Sequence, residues 1–299
     1  MAGAAPPLFR RAAIVGLGLI GGSLALRLKR DGTVGAIVGC ARSQRTLDVA
    51  RGRRMLDDGT TDPAAAVADA DLVVLCTPLG SYKALAAAIG PHLAPGAVVT
   101  DVGSVKASVL ADVAPHLPAG VALVPGHPVA GTENSGPEAG FPELFERHRC
   151  ILTPPPDADP AAVAAVQALW ERCGATVDIM DAAHHDIVLA LTSHLPHVIA
   201  YTIVGTATEL EQDLQSEVVK FSAGGFRDFT RIAASDPTMW RDIFLANREA
   251  VLEVISRFDE DLTRLKRAIR RGDGEALYEL FERTRQIRRS ILAANPKVP

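Results

Sequence analysis

Cysteine is scarce in this chain, and so are aromatic residues and any surplus of charge. Only Cys40, Cys76, Cys150 and Cys173 occur in 299 residues. They form no CxxC pair and no closely spaced set. That excludes a zinc ribbon or a disulfide framework and fits small buried thiols in a reducing compartment. Basic residues number 31 and acidic residues 35, a net charge of -4, so no positive field suggests nucleic acid as a partner. No run approaches about 18 uninterrupted apolar residues, and no membrane span is expected. The stretch Met1 to Arg11 is short and Ala/Pro-rich, without the charged start and apolar core of a signal peptide. These absences leave a soluble, cytoplasmic chain long enough for two domains.

What is present is a strand–helix alternation. Short apolar runs recur at Ala12–Val15, Ala36–Val38, Leu72–Leu75, Ala97–Thr100, Val121–Val124, Cys150–Leu152 and Thr176–Ile179. Continuous rather than alternating hydrophobicity marks strands covered on both faces. Residues 1–181 are expected to form an α/β domain, a doubly wound, mostly parallel sheet of the Rossmann-like kind. After Asp181 no strand is convincing, and residues 182–299 are expected to be all-helical. Within them Ala183–Leu210 reads as an apolar helix interrupted by Pro196, and Ser222–Ala233 as a Gly-containing loop. Asp236 caps a helix with Pro237 at its first position. Phe244, Val251, Phe258 and Leu265 then recur every seven residues, as do Ile255, Leu262 and Ile269. One helix of more than thirty residues, ending at Gly272, is expected, and its sustained repeat predicts a homodimer through the C-terminal helices. The terminal helix from Asp273 to Ala294 mixes charges of both signs and carries no expected ligand.

The segment IVGLGLIGGS holds Gly16, Gly18 and Gly21 in GxGxxG spacing, directly after a strand and at the opening of the helix Leu19–Lys29. That context makes it a dinucleotide site, with Leu19 and Ile20 in the turn and the diphosphate at the helix N-terminus. An acid usually grips the ribose hydroxyls at the end of the second strand. Here the strand ends in CARSQR. Arg42 and Ser43 stand where the acid would be, which favours the 2′-phosphate of NADP over NAD, with NAD as the alternative. Thr77 and Pro78 close the next strand on the same crevice.

The chemistry is concentrated between Asp101 and Gly131, in DVGSVK and PGHPVAG. Ser104 and His127 are expected at the ends of two neighbouring strands, facing the cofactor crevice. An imidazole there can take the proton of an alcohol as its carbon gives up hydride. Ser104 would hold the hydroxyl or orient the imidazole, or would cap the helix that starts near Val105. His184, His185, His194 and His197 lack a carboxylate or thiolate at ligand spacing, and Pro196 disturbs the helix, so no metal is expected.

GLGLIGGS, DVGSVK, HPVAGTE, the SHLPH segment Ser193–His197 and GGFRDFTRIAASDPTMWRDIF (Gly224–Phe244) together resemble the prephenate/arogenate (cyclohexadienyl) dehydrogenase family. The resemblance spans both domains. It implies oxidative decarboxylation of a cyclohexadienol on the route to tyrosine, in a Rossmann-like domain followed by a helical dimerisation domain. By position, His127 resembles the base and Ser104 its assistant. Thr132, Glu133, His197 and Trp240 resemble pocket residues, and Arg231 the holder of a substrate carboxylate. Glu133 could face the ammonium of arogenate, gate the pocket, or pair with an arginine. Neither a mutase domain before Ala12 nor a regulatory module after Pro299 is expected. Two rival readings remain at this stage. One is a two-domain dehydrogenase of the β-hydroxyacid type, for which Lys220 is the only lysine between Lys106 and Lys266. The other is a non-catalytic dinucleotide sensor.

Overall fold

Buried apolar runs cannot leave their backbone groups unpaired, so they assemble side by side. The structure, a computed structural model, describes residues 6–208 and 224–294. β1 (Phe9–Val15), β2 (Val34–Cys40), β3 (Asp58–Thr60), β4 (Leu72–Leu75), β5 (Val98–Asp101) and β6 (Ala122–Val124) form a six-stranded sheet. Their order is β3-β2-β1-β4-β5-β6, and every neighbouring pair is parallel. This is the doubly wound Rossmann-like order, whose direction reverses between β1 and β4. Successive residues of one strand enter opposite cores. Ile14, Leu72 and Val74 face a core shared with α1 (Leu19–Arg30) and α2 (Gln44–Gly52), whereas Val15, Val73 and Leu75 face α3 (Pro63–Val67), α4 (Tyr82–Ile89) and α5 (Lys106–Val113).

The remaining strands depart from the single expected sheet. β7 (Gly126–Val129), β8 (Arg149–Leu152) and β9 (Thr176–Ile179) form a second sheet in that order. β7 runs antiparallel to β8, with His127 opposite Ile151, and β8 is parallel to β9. Pro125 stands at the joint between β6 and β7 and has no N–H to continue a ladder. His127 therefore lies inside a strand of the second sheet, not at the end of the Val121–Val124 run. The GHPV segment reads as a turn because glycine and proline are poor strand residues, and its pairing partner is distant in sequence. The α6 helix (Pro160–Arg172) buries Val166, Leu169 and Trp170 in the first core.

Beyond Asp181 the described residues are helical, as expected. Asp181 accepts hydrogen bonds from Ala183 N (2.8 Å) and His184 N (3.1 Å) and so caps α7 (Ala182–Leu189). A π-turn over Ala190–His194 follows, then α8 (Leu195–Thr208). Pro196 removes a donor and crowds the preceding turn, and the widened π-turn just before it relieves that conflict. The run Ala182–Ala207 is long and apolar enough, by length and composition, to cross a membrane. That corrects the expectation drawn from uninterrupted runs, since His184, His185, Asp186 and His194 interrupt the run without lowering its average below that of a span. Within this run His185 and His194 are fully buried in polar contacts with neighbouring elements, while Ile187 and Leu191 are exposed.

Part of the expected Ser222–Ala233 loop is helical, over Gly224–Thr230, followed by a 3-10 turn, Arg231–Ala234. Lys220 and Ser222 lie outside the described residues. Asp236 caps the next helix by accepting from Thr238 N (2.7 Å), with Pro237 at its first position as expected. That helix ends at Ala246, and another begins at Arg248. The single long helix is thus two. Asn247 leaves helical geometry, and its side chain donates to the backbone carbonyl of Asp186 (2.8 Å) and to His194 Nδ1 (3.1 Å).

Contact density divides the chain into Met1–Asn247 and Arg248–Pro299. Packing places its division after the Pro237–Ala246 helix because Trp240 and Ile243 enter the same core as α4 and α5. The second unit is a helical hairpin, Arg248–Arg271 and Gly274–Ala294, turning at Gly272 (φ +67). Leu252, Leu262, Ile269, Tyr278, Phe281 and Ile287 are exposed on it.

The two sheets are joined by a buried ion pair. Lys106 and Asp101 are both 0% exposed, with Nζ 2.6 Å from Asp101 Oδ2. Lys106 Nζ also donates to Gly126 O (2.5 Å), while Asp101 accepts from Gly103 N (2.7 Å) and Gly126 N (3.1 Å). The end of β5 is thereby held against the start of β7. Removing one partner of a buried pair strands the other charge. Lys106→Met should cost about 3–5 kcal/mol in urea unfolding, and a loss below about 1 kcal/mol would refute that role for the pair.

Candidate active site

The cofactor crevice is built where β1 and β4 part. Gly16 has φ +104, and a Cβ there would lie 2.5 Å from the carbonyl oxygen of Cys76. A Cβ on Gly21 would lie 2.0 Å from Gly16 O. Only glycine permits this turn and this approach of helix to strand. A Cβ on Gly18 would meet nothing within 4 Å, so the backbone there is open to a ligand. Gly18 is the N-cap of α1, with no side-chain cap and no acid in the first turn. The amides at Leu19 and Ile20 begin a helix with no acid in its own first turn, an arrangement that fits a diphosphate.

The ribose end is less simple than the sequence suggests. Arg42 is exposed beyond β2. Ser43 is already engaged as the N-cap of α2, its Oγ accepting from Thr46 N (3.3 Å). At the end of β4, Ser81 Oγ donates to Thr77 Oγ1 (2.8 Å) and to Pro78 O (2.7 Å), closing a tight turn. Asp242 secures that turn by accepting from Gly80 N (3.3 Å).

His127 is 7% exposed and heads a buried chain of polar groups. Its Nδ1 lies 2.8 Å from His185 Nε2, and His185 Nδ1 lies 2.7 Å from Asp186 Oδ1. Asp186 accepts from the first amides of α5, Lys106 N (2.7 Å) and Ala107 N (2.9 Å). It therefore caps α5 from another helix, a task the sequence offered to Ser104. Ser104 stands half-buried just before the N-cap residue Val105, which makes no side-chain cap. Burial, then the neighbouring His185 and Lys106, pushes the His127 imidazolium well below the ordinary histidine range. The ring is neutral at pH 7 and can accept a proton.

The expected pocket residues form a second group. His197 stacks on Trp240, with ring centroids 3.5 Å apart, and His194 meets the edge of the same indole at 6.0 Å. Arg231 Nη1 lies 3.0 Å from Glu133 Oε2, with the two side chains 59% and 38% exposed. Thr132, next to Glu133, accepts from Asn134 N (3.2 Å). The two groups are linked through Asn247, which bonds both Asp186 and His194. Of the histidines weighed as metal ligands, His185 and His194 instead belong to these networks.

Comparison with known proteins decides the family. Residues 24–179 match the family described as "Prephenate dehydrogenase, nucleotide-binding domain", and residues 181–283 match "Prephenate dehydrogenase, dimerization domain". A cyclohexadienyl dehydrogenase of Zymomonas mobilis is 44% identical over 95% of this chain and 97% of its own. The chain belongs to the prephenate dehydrogenase family. Within it, a prephenate dehydrogenase of Bacillus subtilis is 33% identical, covering 92% of this chain and 74% of its own. The crystal structure of Aquifex aeolicus prephenate dehydrogenase, in complex with hydroxyphenyl propionate and NAD+, superposes with a TM-score of 0.87 at 37% identity, over 94% of this chain and 98% of that one.

For a member of the prephenate dehydrogenase family, the residues missed by sequence reasoning are His185, Asp186, Asn247 and the buried Lys106. His185 was weighed only as a metal ligand, and Asp186 beside it was passed over. Nothing in the sequence places them beside His127.

Two buried imidazoles give this site a pH signature. Burial lowers His194 from 6.5 to about 4 and holds His127 well below the ordinary histidine range. Both rings protonate more readily in the unfolded chain, so the native state binds fewer protons below pH 6.5. Stability should fall as pH drops from about 6.5 towards 5, by up to about 1.4 kcal/mol per unit per group. Urea unfolding at several pH values measures this, and His194→Gln should flatten the slope. An equally steep slope in the variant would remove His194 from the effect.

Proposed function

We propose that this protein oxidatively decarboxylates prephenate, arogenate or both, with a nicotinamide dinucleotide as oxidant, in the formation of tyrosine. The observation that carries the reading is a neutral, buried His127 held by a hydrogen-bonded chain, in a protein 44% identical over nearly its whole length to a cyclohexadienyl dehydrogenase.

The turn Gly16–Gly21, with Leu19 and Ile20 at the helix start, would hold the diphosphate, and Thr77 and Pro78 would border the nicotinamide side. When bound, the cofactor supplies the hydride acceptor for the ring carbon that bears the hydroxyl. His127 takes the hydroxyl proton. Ser104 holds the same hydroxyl or steers the imidazole. Loss of hydride and proton leaves the ring a dienone-like electron sink for its own carboxylate, and departure of carbon dioxide yields a phenol. Aromatisation drives the sequence one way.

Arg231 would grip a substrate carboxylate, and Glu133 must release it first. Freed of Arg231, Glu133 could face the ammonium of arogenate. Thr132, His197 and Trp240 would complete the pocket wall. For the cofactor, the residues after β2 offer no carboxylate to repel a 2′-phosphate, and Arg42 would attract one. Ser43 is partly committed to its cap, which weakens its contribution. We therefore read the pocket as accepting NADP while admitting NAD, the dinucleotide held by the Aquifex relative. The exposed apolar residues of the C-terminal hairpin and the matching dimerisation domain support a homodimer through the C-terminal helices. A cytoplasmic location follows from this biosynthetic role. The β-hydroxyacid and sensor readings lose their support to the family match and to the proton-accepting chain at His127.

Absorbance at 340 nm with prephenate and with arogenate, each with NAD and NADP, tests the reading. Reduction with neither substrate would overturn it, and a strong NAD preference would overturn the cofactor assignment. His127→Asn should lower turnover at least about 10²-fold, the scale of a positioned acid–base group, with substrate affinity little changed. Unchanged turnover would remove His127 from the chemistry. Arg231→Ala should raise the Michaelis constant by about 10- to 100-fold, the worth of a charged hydrogen bond. Its exposure excludes the larger effect of a buried ion pair. A normal constant would point to another anchor.

A further inference from the structure

We infer that Asp186 and His185 are positioning residues that set the tautomer of His127, leaving its Nε2 as the unprotonated atom that meets the substrate hydroxyl. The inference rests on the function proposed above for its chemical meaning, though not for its geometry.

The assignment starts from groups whose roles cannot change. Backbone amides only donate. Lys106 N donates to Asp186 Oδ1 (2.7 Å) and Ala107 N to Oδ2 (2.9 Å), so both carboxylate oxygens are acceptors. Oδ1 also lies 2.7 Å from His185 Nδ1, so that nitrogen donates. An imidazole with one proton, placed on Nδ1, has a bare Nε2. That Nε2 lies 2.8 Å from His127 Nδ1, so His127 donates from Nδ1 and keeps Nε2 free. Two peptide amides at the start of α5 thereby decide, three bonds away, where the catalytic lone pair sits.

The surroundings keep this order rigid. Asp186 and His185 are 5% and 0% exposed. Asn247 holds the Asp186 backbone carbonyl from the other side (2.8 Å). The other charged or titratable groups around His127 among the described residues include Lys106 on α5, itself paired with Asp101 on β5, His194 on the π-turn, and Cys150 on β8, whose thiol meets the His127 backbone. When the substrate O–H bond breaks and the proton joins His127 Nε2, positive charge appears in a buried ring. The ordered chain leads that charge to the Asp186 carboxylate, which offsets part of the burial cost. A doubly protonated His185 would reverse the order, placing the proton of neutral His127 on Nε2 and blocking it as a base.

Long-range 1H–15N NMR of the full-length protein reads the tautomer directly, with the His127 signals assigned by their loss in His127→Asn. The expected wild-type form carries its proton on Nδ1. An Nε2–H form would overturn the inference. A purely structural role for the dyad is separated by two variants at one position. In His185→Gln the amide oxygen can accept from His127 while the amide NH2 donates to Asp186, so kcat should stay within about 10-fold of wild type. His185→Leu can do neither, and kcat should fall at least about 10²-fold, the acid–base scale, with KM within a few-fold. Equal activities for Gln and Leu would overturn the role. Asp186→Asn can present an NH2 to His185, which inverts both tautomers, as the equivalent change does in serine proteases at a cost of about 10⁴-fold. Its kcat should fall and its acid pH limb should shift. A folded Asp186→Asn with wild-type kcat and pH profile would overturn the role. If Asp186→Asn fails to fold because the α5 cap is lost, the wild-type spectrum and the His185 pair still decide. A wild-type protein with the Nδ1–H form but no turnover of either substrate would support the tautomer and fault the substrate assignment instead.

Discussion

The site depends first on the buried Lys106–Asp101 pair. Under the proposed function, the loop after β5 and strand β7 of the second sheet must present Ser104 and His127 to one crevice, and nothing in a doubly wound sheet by itself requires that. Asp101 ends β5 and accepts amides from Gly103 and Gly126, and Lys106 binds both Asp101 and the Gly126 carbonyl. A charge with no access to water tolerates few arrangements, because each unmade bond leaves a desolvated group uncompensated. That intolerance gives the joint its rigidity. Burial presses the lysine towards its neutral form, and Asp101 opposes it. The pair is a weak source of net stability and a strong source of geometry.

The same burial sets the chemistry of His127. Desolvation favours the neutral ring, which in the proposed reaction would make the proton acceptor ready before substrate arrives. It also makes the protonated state expensive, and a base so far below neutrality would gain little from accepting a proton alone. The dyad of His185 and Asp186 answers part of that cost. In the proposed reaction, departure of hydride would acidify the substrate hydroxyl and supply the rest. Access and driving force are thus divided between the protein and the reacting molecule.

Much of the first domain could be read from composition and spacing. The runs LVVL and AAIV form strands where a continuous apolar pattern requires them, and GxGxxG opens a helix at the point where β1 exits. Asp236 and Pro237 start a helix for local reasons, and Gly272 ends one for a local reason. Reading failed where distant groups override local preference. GHPV has poor strand propensity yet pairs with β8. Asn247 breaks a helical pattern because its side chain is drawn to Asp186 and His194. Ser104 yields the cap of α5 to Asp186, roughly eighty residues onward along the chain. Glu133, for which pairing with an arginine was one of three expectations, pairs with Arg231, a choice that spacing alone left open.

By itself, the sequence determined the residue types at the site, the strand–helix order and the glycine turn, because each rests on neighbours a few positions apart. Spacing and hydrophobic period are local quantities and survive without coordinates. Tertiary structure alone decided that His185 and Asp186 stand behind His127, that Lys106 is buried under the joint, and that His197 lies on Trp240. Those relations arise when α5, α7, β7 and the Pro237–Ala246 helix close around common space. Only there does the loss of water make one hydrogen-bond order far better than its alternatives.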